Sequence, residues 1–362
     1  MQNSKLVRWV YILLLLVLIV VILVYAKPFL VPLTFAAILA MLLLPIAWWL
    51  EEKRINKAIA TLCALLVFVV ALGIIIAFLS WQVSDIAKDA PNIEQQLTQK
   101  VTQVQTYITE SLGIPPQKQQ QILQQQQSAA PGKISSLITG VLTGLGTFLA
   151  NFLLVLVYVF LFIYFRNHLK QFILKLVPQE DKAKADGIIS NSQKVAQKYL
   201  TGLGMMIVCL WIMYGIGFSI VGVKNALFFA MLCGLLEMVP FVGNITGTAI
   251  TVLVSLAQGG SINMVIGILI TYGLVQFIQS YLLEPLVVGK EVSVNPTFTI
   301  IGIVGGEAVW GIAGMVLAIP LLGIAKIVFD AIGPLKPYGF LIGESKKKNN
   351  KHLTEKIMSW FH

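Results

Sequence analysis

The chain has 362 residues, of which 57% are hydrophobic and only 12% are charged. An average soluble domain carries about 25% charged residues. This composition excludes disordered and collagen-like chains and argues strongly against a soluble globular protein. The mean hydropathy is +0.84 and the net charge is +10. In a polytopic membrane protein such an excess of lysine and arginine is first a signal of topology, so we expect no nucleic-acid partner.

The first 81 residues predict three membrane helices. Apolar runs extend from Trp9 to Tyr25, from Pro28 to Leu50 and from Ala58 to Trp81, and each is close to the roughly 20 residues that cross a bilayer. The first run has no small-residue cleavage site, so we expect it to be retained and not removed as a signal peptide. A charged turn at residues 51–57 separates the second run from the third.

Residues 82–133 form an extramembrane insertion that is rich in glutamine and poor in apolar residues. Six apolar residues recur there at steps of four, four, three, four and four: Ile93, Leu97, Val101, Val104, Ile108 and Leu112. This spacing predicts an amphipathic helix. The apolar stripe could make an oligomer contact, cap the membrane core, or pack only on its own chain, and the sequence leaves these alternatives open.

A fourth membrane helix is predicted within residues 134–165, and a basic segment follows at 166–202. In that segment apolar residues recur at helical spacing among many lysines: Leu169, Phe172, Ile173, Leu176 and Val177. This pattern is typical of an amphipathic helix at the headgroup surface, with its lysines toward anionic lipid. A second basic segment, the tail, lies at residues 336–362.

Residues 203–335 are the most apolar and glycine-rich part of the sequence. Four runs lie there, Leu203–Val221, Ala226–Ala257, Met264–Leu283 and Phe298–Phe329, and two of them have 32 residues. A straight helix of that length measures roughly 48 Å, against a hydrocarbon core of about 30 Å. Strong tilt or a break is therefore expected, and helix-breaking residues favour breaks: Pro240 and Gly243 in one run, Gly305, Gly306, Gly311, Gly314 and Pro320 in the other.

These runs predict an all-α polytopic membrane protein with about eight hydrophobic segments, some of them broken or re-entrant. The N-terminus, the 51–57 turn, the 166–200 segment and the tail are basic, whereas residues 82–133 balance four lysines against four acids. Because basic loops stay in the cytoplasm, we expect both termini on the cytoplasmic side and the insertion on the opposite side.

Three glutamates lie inside the apolar C-terminal runs, namely Glu237, Glu284 and Glu307. An ionisable group within a membrane segment is costly and is a candidate functional residue by default. Leu-Leu-Glu, then a proline, then Val-Gly occurs at both 235–243 and 282–289, which resembles a degenerate internal repeat. The alternative role for each glutamate is to cap a helix N-terminus or to lie at the membrane interface.

A proline and a glycine beside a glutamate have a specific physical meaning. Proline removes a backbone donor, glycine permits a tight reversal, and the freed carbonyls then point into the protein. Transporters bind substrates and ions at such discontinuous helices near the bilayer midplane. The candidate site is therefore Glu237, Pro240, Gly243 and the 284–296 break. Neutral ligands could come from four polar residues nearby: Asn244, Thr246, Thr248 and Gln276.

The segment Glu237-Met238-Val239-Pro240-Phe241-Val242-Gly243 resembles the Glu-x-Ile/Val-Pro-Phe-x-Gly signature of the autoinducer-2 exporter family of bacterial membrane proteins. Two further spacings are similar to that family's C-terminal pattern: Pro285, Gly289 and Pro296, and then Gly311, Gly314, Met315, Pro320 and Leu321. The arrangement of the predicted membrane helices over residues 5–335 is also similar to that of the family. The insertion at 82–133 does not belong to the family pattern, and Glu307 matches no fixed family residue.

The resemblance implies an inner-membrane secondary transporter that exports a small polar solute such as autoinducer-2, with sodium/proton exchange as the alternative within the family. The candidate solute- or ion-binding residues are then Glu237, Pro240, Phe241, Gly243, Asn244, Thr246, Glu284, Pro285, Gly289, Pro296 and Glu307. The candidate partners are the polar solute, H⁺ or Na⁺, and membrane lipid.

Other functions are less well supported by the sequence. It lacks a phosphate-binding Gly-x-x-x-x-Gly-Lys-Ser/Thr motif, so we expect neither ATP-driven pumping nor an enzyme, and we expect no cofactor and no metal site. The three cysteines are interpreted as small buried hydrophobes. A Gly140-(x)3-Gly144 motif of the kind that brings membrane helices together predicts a homo-oligomer. A passive pore and a non-transporting scaffold remain the alternative functions.

Overall fold

The computed structural model describes residues 2–88, 95, 109, 152–240, 242–288 and 294–344. Most of the predicted insertion at 82–133, the start of the fourth run and the end of the basic tail lie outside them. In the described ranges the chain is helical and holds one isolated β-bridge, Val294 with Gly343. The helices, labelled in chain order, are α1 (Gln2–Tyr25), α2 (Lys27–Glu52), α3 (Lys57–Lys88), α4 (Phe152–Tyr164), α5 (Arg166–Lys175), α6 (Lys182–Val221), α7 (Ala226–Leu236), α8 (Val242–Ala257), α9 (Ile262–Ile278), α10 (Pro296–Trp310), α11 (Ile312–Ala331) and α12 (Lys336–Ile342).

These helices confirm the predicted all-α polytopic membrane fold. Six helices among the described residues are long and apolar enough to cross a membrane, or up to seven if α4 and α5 form one bent span. Short 3₁₀ turns precede α6 (Gln179–Asp181) and α12 (Gly333–Leu335), and α9 continues without a gap as a π-helix, Gln279–Val288. The chain is thus a multi-pass membrane protein.

A bend of 66° separates α4 from α5. The bend is fixed to α2 by an ion pair, because Arg166 Nη1 donates to Glu51 Oε1 at 2.8 Å and Arg166 Nη2 donates to Glu51 Oε2. Apolar residues of α5, among them Phe172 and Ile173, are exposed. An exposed apolar face beside Lys170 and Lys175 suits the headgroup surface, and its contact with lipid stays a prediction.

Both 32-residue runs are broken into antiparallel hairpins. In the first, α7 and α8 are separated by residues 237–241, and Gly247 packs on Cys233 across the hairpin. In the second, the break lies at Gly311, whose φ of +66° favours glycine.

The other residues that favoured a break in the second run lie within helices, so that part of the prediction is wrong. Gly305 and Gly306 belong to α10, and Gly314 and Pro320 belong to α11. The physical reason is packing: the backbones of Gly306 and Gly314 touch across the hairpin, where a side chain would not fit. Membrane helices also tolerate an internal proline where neighbouring groups satisfy the freed carbonyl.

The core of the C-terminal half is centred on α6. Leu210, Tyr214 and Phe218 of α6 are fully buried, together with Phe229 of α7 and Ile268 of α9. A second apolar cluster joins α2, α3 and α4. By contrast α1 is exposed along its length and contacts α2 and α10, as expected of a helix that faces lipid. The α6–α7–α8–α9 bundle therefore positions the first broken hairpin.

Gly314→Ala should lower the free energy of unfolding by about 1–3 kcal/mol, the usual cost of overpacking. A Cβ at Gly314 would lie 1.9 Å from the carbonyl oxygen of Gly306. The matched control is Gly305→Ala, because a Cβ there meets no atom within 4 Å; its effect should stay within about 1 kcal/mol. Denaturant unfolding in detergent micelles measures both, and equal stability of the two variants would contradict the hairpin contact.

Candidate functional site

The α7–α8 hairpin ends in a compact tip at residues 237–243. Val239 N donates to Leu236 O at 2.9 Å, and Gly243 N donates to Val239 O at 3.0 Å. Pro240 has no backbone N–H to donate and so blocks a continuous helix. A Cβ on Gly243 would lie 1.7 Å from Leu236 O, so this close approach of the two helix ends requires glycine. The sequence-predicted break at Pro240 and Gly243 is confirmed.

The carboxylate of Glu237 lies at this tip and accepts hydrogen bonds from two amides. Gln279 Nε2 donates to Glu237 Oε1 at 3.0 Å, and Gln276 Nε2 donates to Glu237 Oε2 at 3.4 Å. Asn244 Nδ2 in turn donates to Gln276 Oε1 at 3.2 Å. Tyr214 OH lies 3.3 Å from Gln276 Nε2. We call these five residues the Glu237 network; they join α6, the hairpin tip, α8, α9 and the π-helix.

The amide nitrogen of Gln276 is surrounded by more hydrogen-bond acceptors than it has hydrogens to donate. It lies 3.3–3.4 Å from three of them: Tyr214 OH, Glu237 Oε2 and Gln279 Oε1. An amide group carries only two hydrogens, so it cannot satisfy all three at once. This arrangement lets the amide exchange partners at small cost.

Glu284 lies on the π-helix that begins at Gln279. Gln279 is only 4% exposed, whereas Glu284, five residues later, is exposed. The two glutamates are 47 residues apart in sequence. In the part of the chain that the structure describes, no lysine, arginine or histidine forms an ion pair with either glutamate.

The network lies deep in the helix bundle. Gly215 of α6 lies against Ala230 of α7. Gly217 of α6 lies against Thr271 of α9, and Val221 of α6 lies against Gly267 of α9. Both α7 and α9 therefore run antiparallel to α6 and enter the bundle from the same end. With 11 residues, α7 rises about 16 Å before it reaches Glu237, and α8 with 16 residues returns about 24 Å. Neither helix alone spans a hydrocarbon core of roughly 30 Å, so we expect a re-entrant hairpin whose tip stays within the bilayer.

Several sequence-predicted residues lie apart from the network. The Thr246 hydroxyl is exposed and donates to Val242 O of its own helix at 2.7 Å. Pro296 is the first residue of α10, and Asn295 caps that helix by accepting from Thr297 N at 2.9 Å. Glu307 is exposed on α10, beside Trp310, whose Nε1 donates to Leu23 O at the far end of α1. No described contact joins these three residues to Glu237.

The second Leu-Leu-Glu string does not repeat the structure of the first. Leu235 and Leu236 end α7, whereas Leu282, Leu283 and Glu284 lie inside the π-helix, which continues through Pro285 to Val288. The expected break at 284–296 therefore does not begin at Glu284 or Pro285. Phe241 and Gly289, two further candidates, lie outside the described residues.

Sequence reasoning missed Gln279 and Tyr214. Gln279 follows Gln276 by three residues, and two amides one helical turn apart in an apolar run form a signal that could have found it. Tyr214 gives no such signal, because a tyrosine in an apolar helix is ordinarily a core residue. Gln276 and Asn244, both proposed as neutral ligands, do lie in the network. Within the described ranges no group of three His, Cys, Asp or Glu residues could hold a metal ion.

Comparisons with known proteins find similar sequences over most of the chain. A family model described as "AI-2E family transporter" matches residues 12–333. "Putative transport protein YrrI" of Bacillus subtilis is 21% identical over 306 residues, which cover 83% of this chain and 86% of that protein. "Putative transport protein MT0215" of Mycobacterium tuberculosis is 24% identical over 336 residues, which cover 90% and 88% of the two chains. These names state transport and give no substrate.

Glu237 and Gln279 should be energetically coupled. In a double-mutant cycle of Glu237→Gln and Gln279→Leu, we expect a coupling free energy of about 1–2 kcal/mol, because the first change removes the charge of the charge-assisted hydrogen bond and the second removes its donor. The cycle is measured by denaturant unfolding in detergent. A control cycle pairs Glu237→Gln with Gln82→Leu, since Gln82 bonds instead to Asn225. Additive effects in the first cycle would contradict the network.

Proposed function

The chain belongs to the AI-2E transporter family, and from this premise we propose that it is an inner-membrane secondary transporter that exports a small polar solute. The family and the relatives support a membrane transporter and not an enzyme. The direction of transport, the autoinducer-2-like solute and coupling to an ion gradient are our proposals. They rest on the resemblance of residues 237–243 and on the Glu237 network.

A single observation carries the proposal: among the described residues the Glu237 carboxylate is held by neutral amides and not by a cation. Gln279 and Gln276 each donate one hydrogen bond to Glu237, but they leave its negative charge without a partner of opposite sign among the described residues. A charge in an apolar environment is costly unless it is paired. A proton or a sodium ion from the gradient supplies that pairing, and this is how the carboxylate would take part in coupling.

The amides supply the matching chemistry for a polar solute. Gln276 Nε2 serves three acceptors with two hydrogens, and Asn244 Nδ2 bonds to the carbonyl of that same side chain. A hydroxylated solute at the tip can take over one of these hydrogen bonds without leaving a buried group unpaired, which keeps the exchange inexpensive. Solute binding and neutralisation of Glu237 would then compete for, or share, one set of hydrogen bonds.

Sodium/proton antiport is the second candidate function. The observation that favours it is that one π-helix carries both Gln279, which donates to Glu237, and Glu284. Two such carboxylates could hold either a proton or a sodium ion, and exchange of the two would need no organic solute.

We also propose a topology, lipid contacts and an oligomeric state. The lysine and arginine content of both termini and of the basic 166–200 segment supports a cytoplasmic location for them. The exposed apolar face of α5 would contact the headgroups, and we expect a homo-oligomer, which mass measurement in detergent tests. The α6–α7 turn and the start of α9 would then lie on the side opposite to the cytoplasm.

Glu237→Gln should reduce gradient-driven flux in proteoliposomes at least about tenfold, because the amide cannot accept a proton or balance a cation's charge. The assay compares an autoinducer-2-like polyol with sodium and proton movement. The matched control is Glu180→Gln, an exposed residue of the Gln179–Asp181 turn, which should keep wild-type flux.

Each other outcome of that assay selects a different function. Unaltered flux in Glu237→Gln would overturn the assignment of the coupling site. Sodium/proton exchange without solute movement would select the antiporter. Flux that neither saturates nor depends on a gradient would select a passive pore, and the absence of any flux would select a scaffold.

A further inference from the structure

A stripe of polar side chains runs along α8 from the Glu237 network toward the other end of that helix. Its members are Asn244, Thr248, Thr251, Ser255 and Gln258, and they follow one another at steps of four, three, four and three. Residues at such steps share one face of a helix. Gln258 lies directly after α8 and continues its last turn, because Gln258 N donates to Val254 O at 2.9 Å.

The stripe is buried, and several of its oxygens lack a partner. Thr248 is 6% exposed and Ser255 is 2% exposed. Thr248 Oγ1, Ser255 Oγ and Gln258 Oε1 have no hydrogen-bond partner in the described part of the chain. A buried polar atom without a hydrogen bond costs about 1–3 kcal/mol, so three in one row point to a hydrogen-bonding ligand.

Thr251 shows that the helix itself could have satisfied these hydroxyls. Thr251 Oγ1 donates to Gly247 O at 2.8 Å, which is the usual bond of a threonine to the carbonyl four residues before it. Thr248 and Ser255 could make the same bond on α8 but do not. Close helix packing alone accounts for small residues on this face, as at Gly247 against Cys233, but it does not account for free hydroxyls.

The two ends of the stripe give its direction. Asn244 bonds to Gln276 and so belongs to the Glu237 network at the hairpin tip. Gln258 lies beside the turn at Gly259 and Gly260 that leads into α9. Because α8 rises about 24 Å over its 16 residues, the stripe extends from the hairpin tip to the end of the bundle at which α7 enters.

We propose that the stripe holds a file of water that connects the Glu237 network to the membrane face at that end of the bundle. The side chains of the stripe are hydroxyls and amides, which donate and accept hydrogen bonds without charge, and this chemistry suits water better than a bare ion. The inference rests on the proposed function, for which the file is the route of the proton, ion or solute to Glu237. The Cys233 Sγ and Thr251 Oγ1 atoms, 3.6 Å apart, border its middle.

Cysteine accessibility tests the proposal. In a background of Cys63→Ala, Cys209→Ala and Cys233→Ala, the changes Thr248→Cys and Ser255→Cys are each reacted in proteoliposomes with a charged methanethiosulfonate reagent. Thiols in contact with water ionise and react, whereas thiols in lipid or dry protein react slowly. The matched control on the same helix is Leu253→Cys, because Leu253 is apolar and 55% exposed toward the lipid.

We expect Thr248→Cys and Ser255→Cys to react at least about tenfold faster than Leu253→Cys, and equal rates would overturn the inference. A second measurement uses the unaltered chain. X-ray radiolysis generates hydroxyl radicals from water held inside the protein, so Cys233, which is 1% exposed, should be oxidised in the folded transporter. Complete protection of Cys233 would also count against the water file.

The two proposals fail in distinguishable ways. If the stripe is unreactive while flux depends on Glu237, the water file is wrong and the transport site stands. If the stripe reacts while Glu237→Gln transports normally, the water file stands and the proposed coupling site is wrong.

Discussion

The fold is organised around the hydrogen bonding of one carboxylate in an apolar interior. Glu237 lies at the end of an 11-residue helix, about 16 Å into the bundle, and its side chain is half-buried. Its oxygens accept hydrogen bonds from Gln279 and Gln276. Gln276 lies near the end of α9 and Gln279 begins the π-helix that continues it, so the interaction requires α7 and α9 to enter the bundle from the same end and to reach the same depth.

That depth depends on the helix break between α7 and α8. Pro240 prevents a continuous helix, and Gly243 lets the carbonyl of Leu236 approach so closely that no side chain would fit. A continuous helix through this region would carry Asn244 away from Glu237 and past Gln276, to which it is bonded. The second hairpin is built differently: its tip at Gly311 lies near Lys27, and Trp310 contacts Leu23 at the end of α1. Of the two breaks, only the first carries an acid that accepts hydrogen bonds from the amides of neighbouring helices.

Much of this architecture could be predicted from the sequence, because it depends on properties of short segments of the chain. Run lengths and the proline and glycine at 240 and 243 predict a broken hairpin, because helix length and proline chemistry do not depend on tertiary packing. Residues such as Gly306 and Pro320 could not be assigned in this way, since whether they break a helix depends on a neighbour. The same holds for Gln279, which becomes a partner of Glu237 only when α9 packs beside the hairpin.

The central claim is that Glu237 lies at mid-membrane on a re-entrant tip, and a cryo-EM map of the protein in lipid nanodiscs tests it most directly. The account predicts density for residues 237–243 midway between the two headgroup layers, with α7 and α8 returning to the same face. A tip within a headgroup layer, or α7 and α8 leaving on opposite faces, would contradict it.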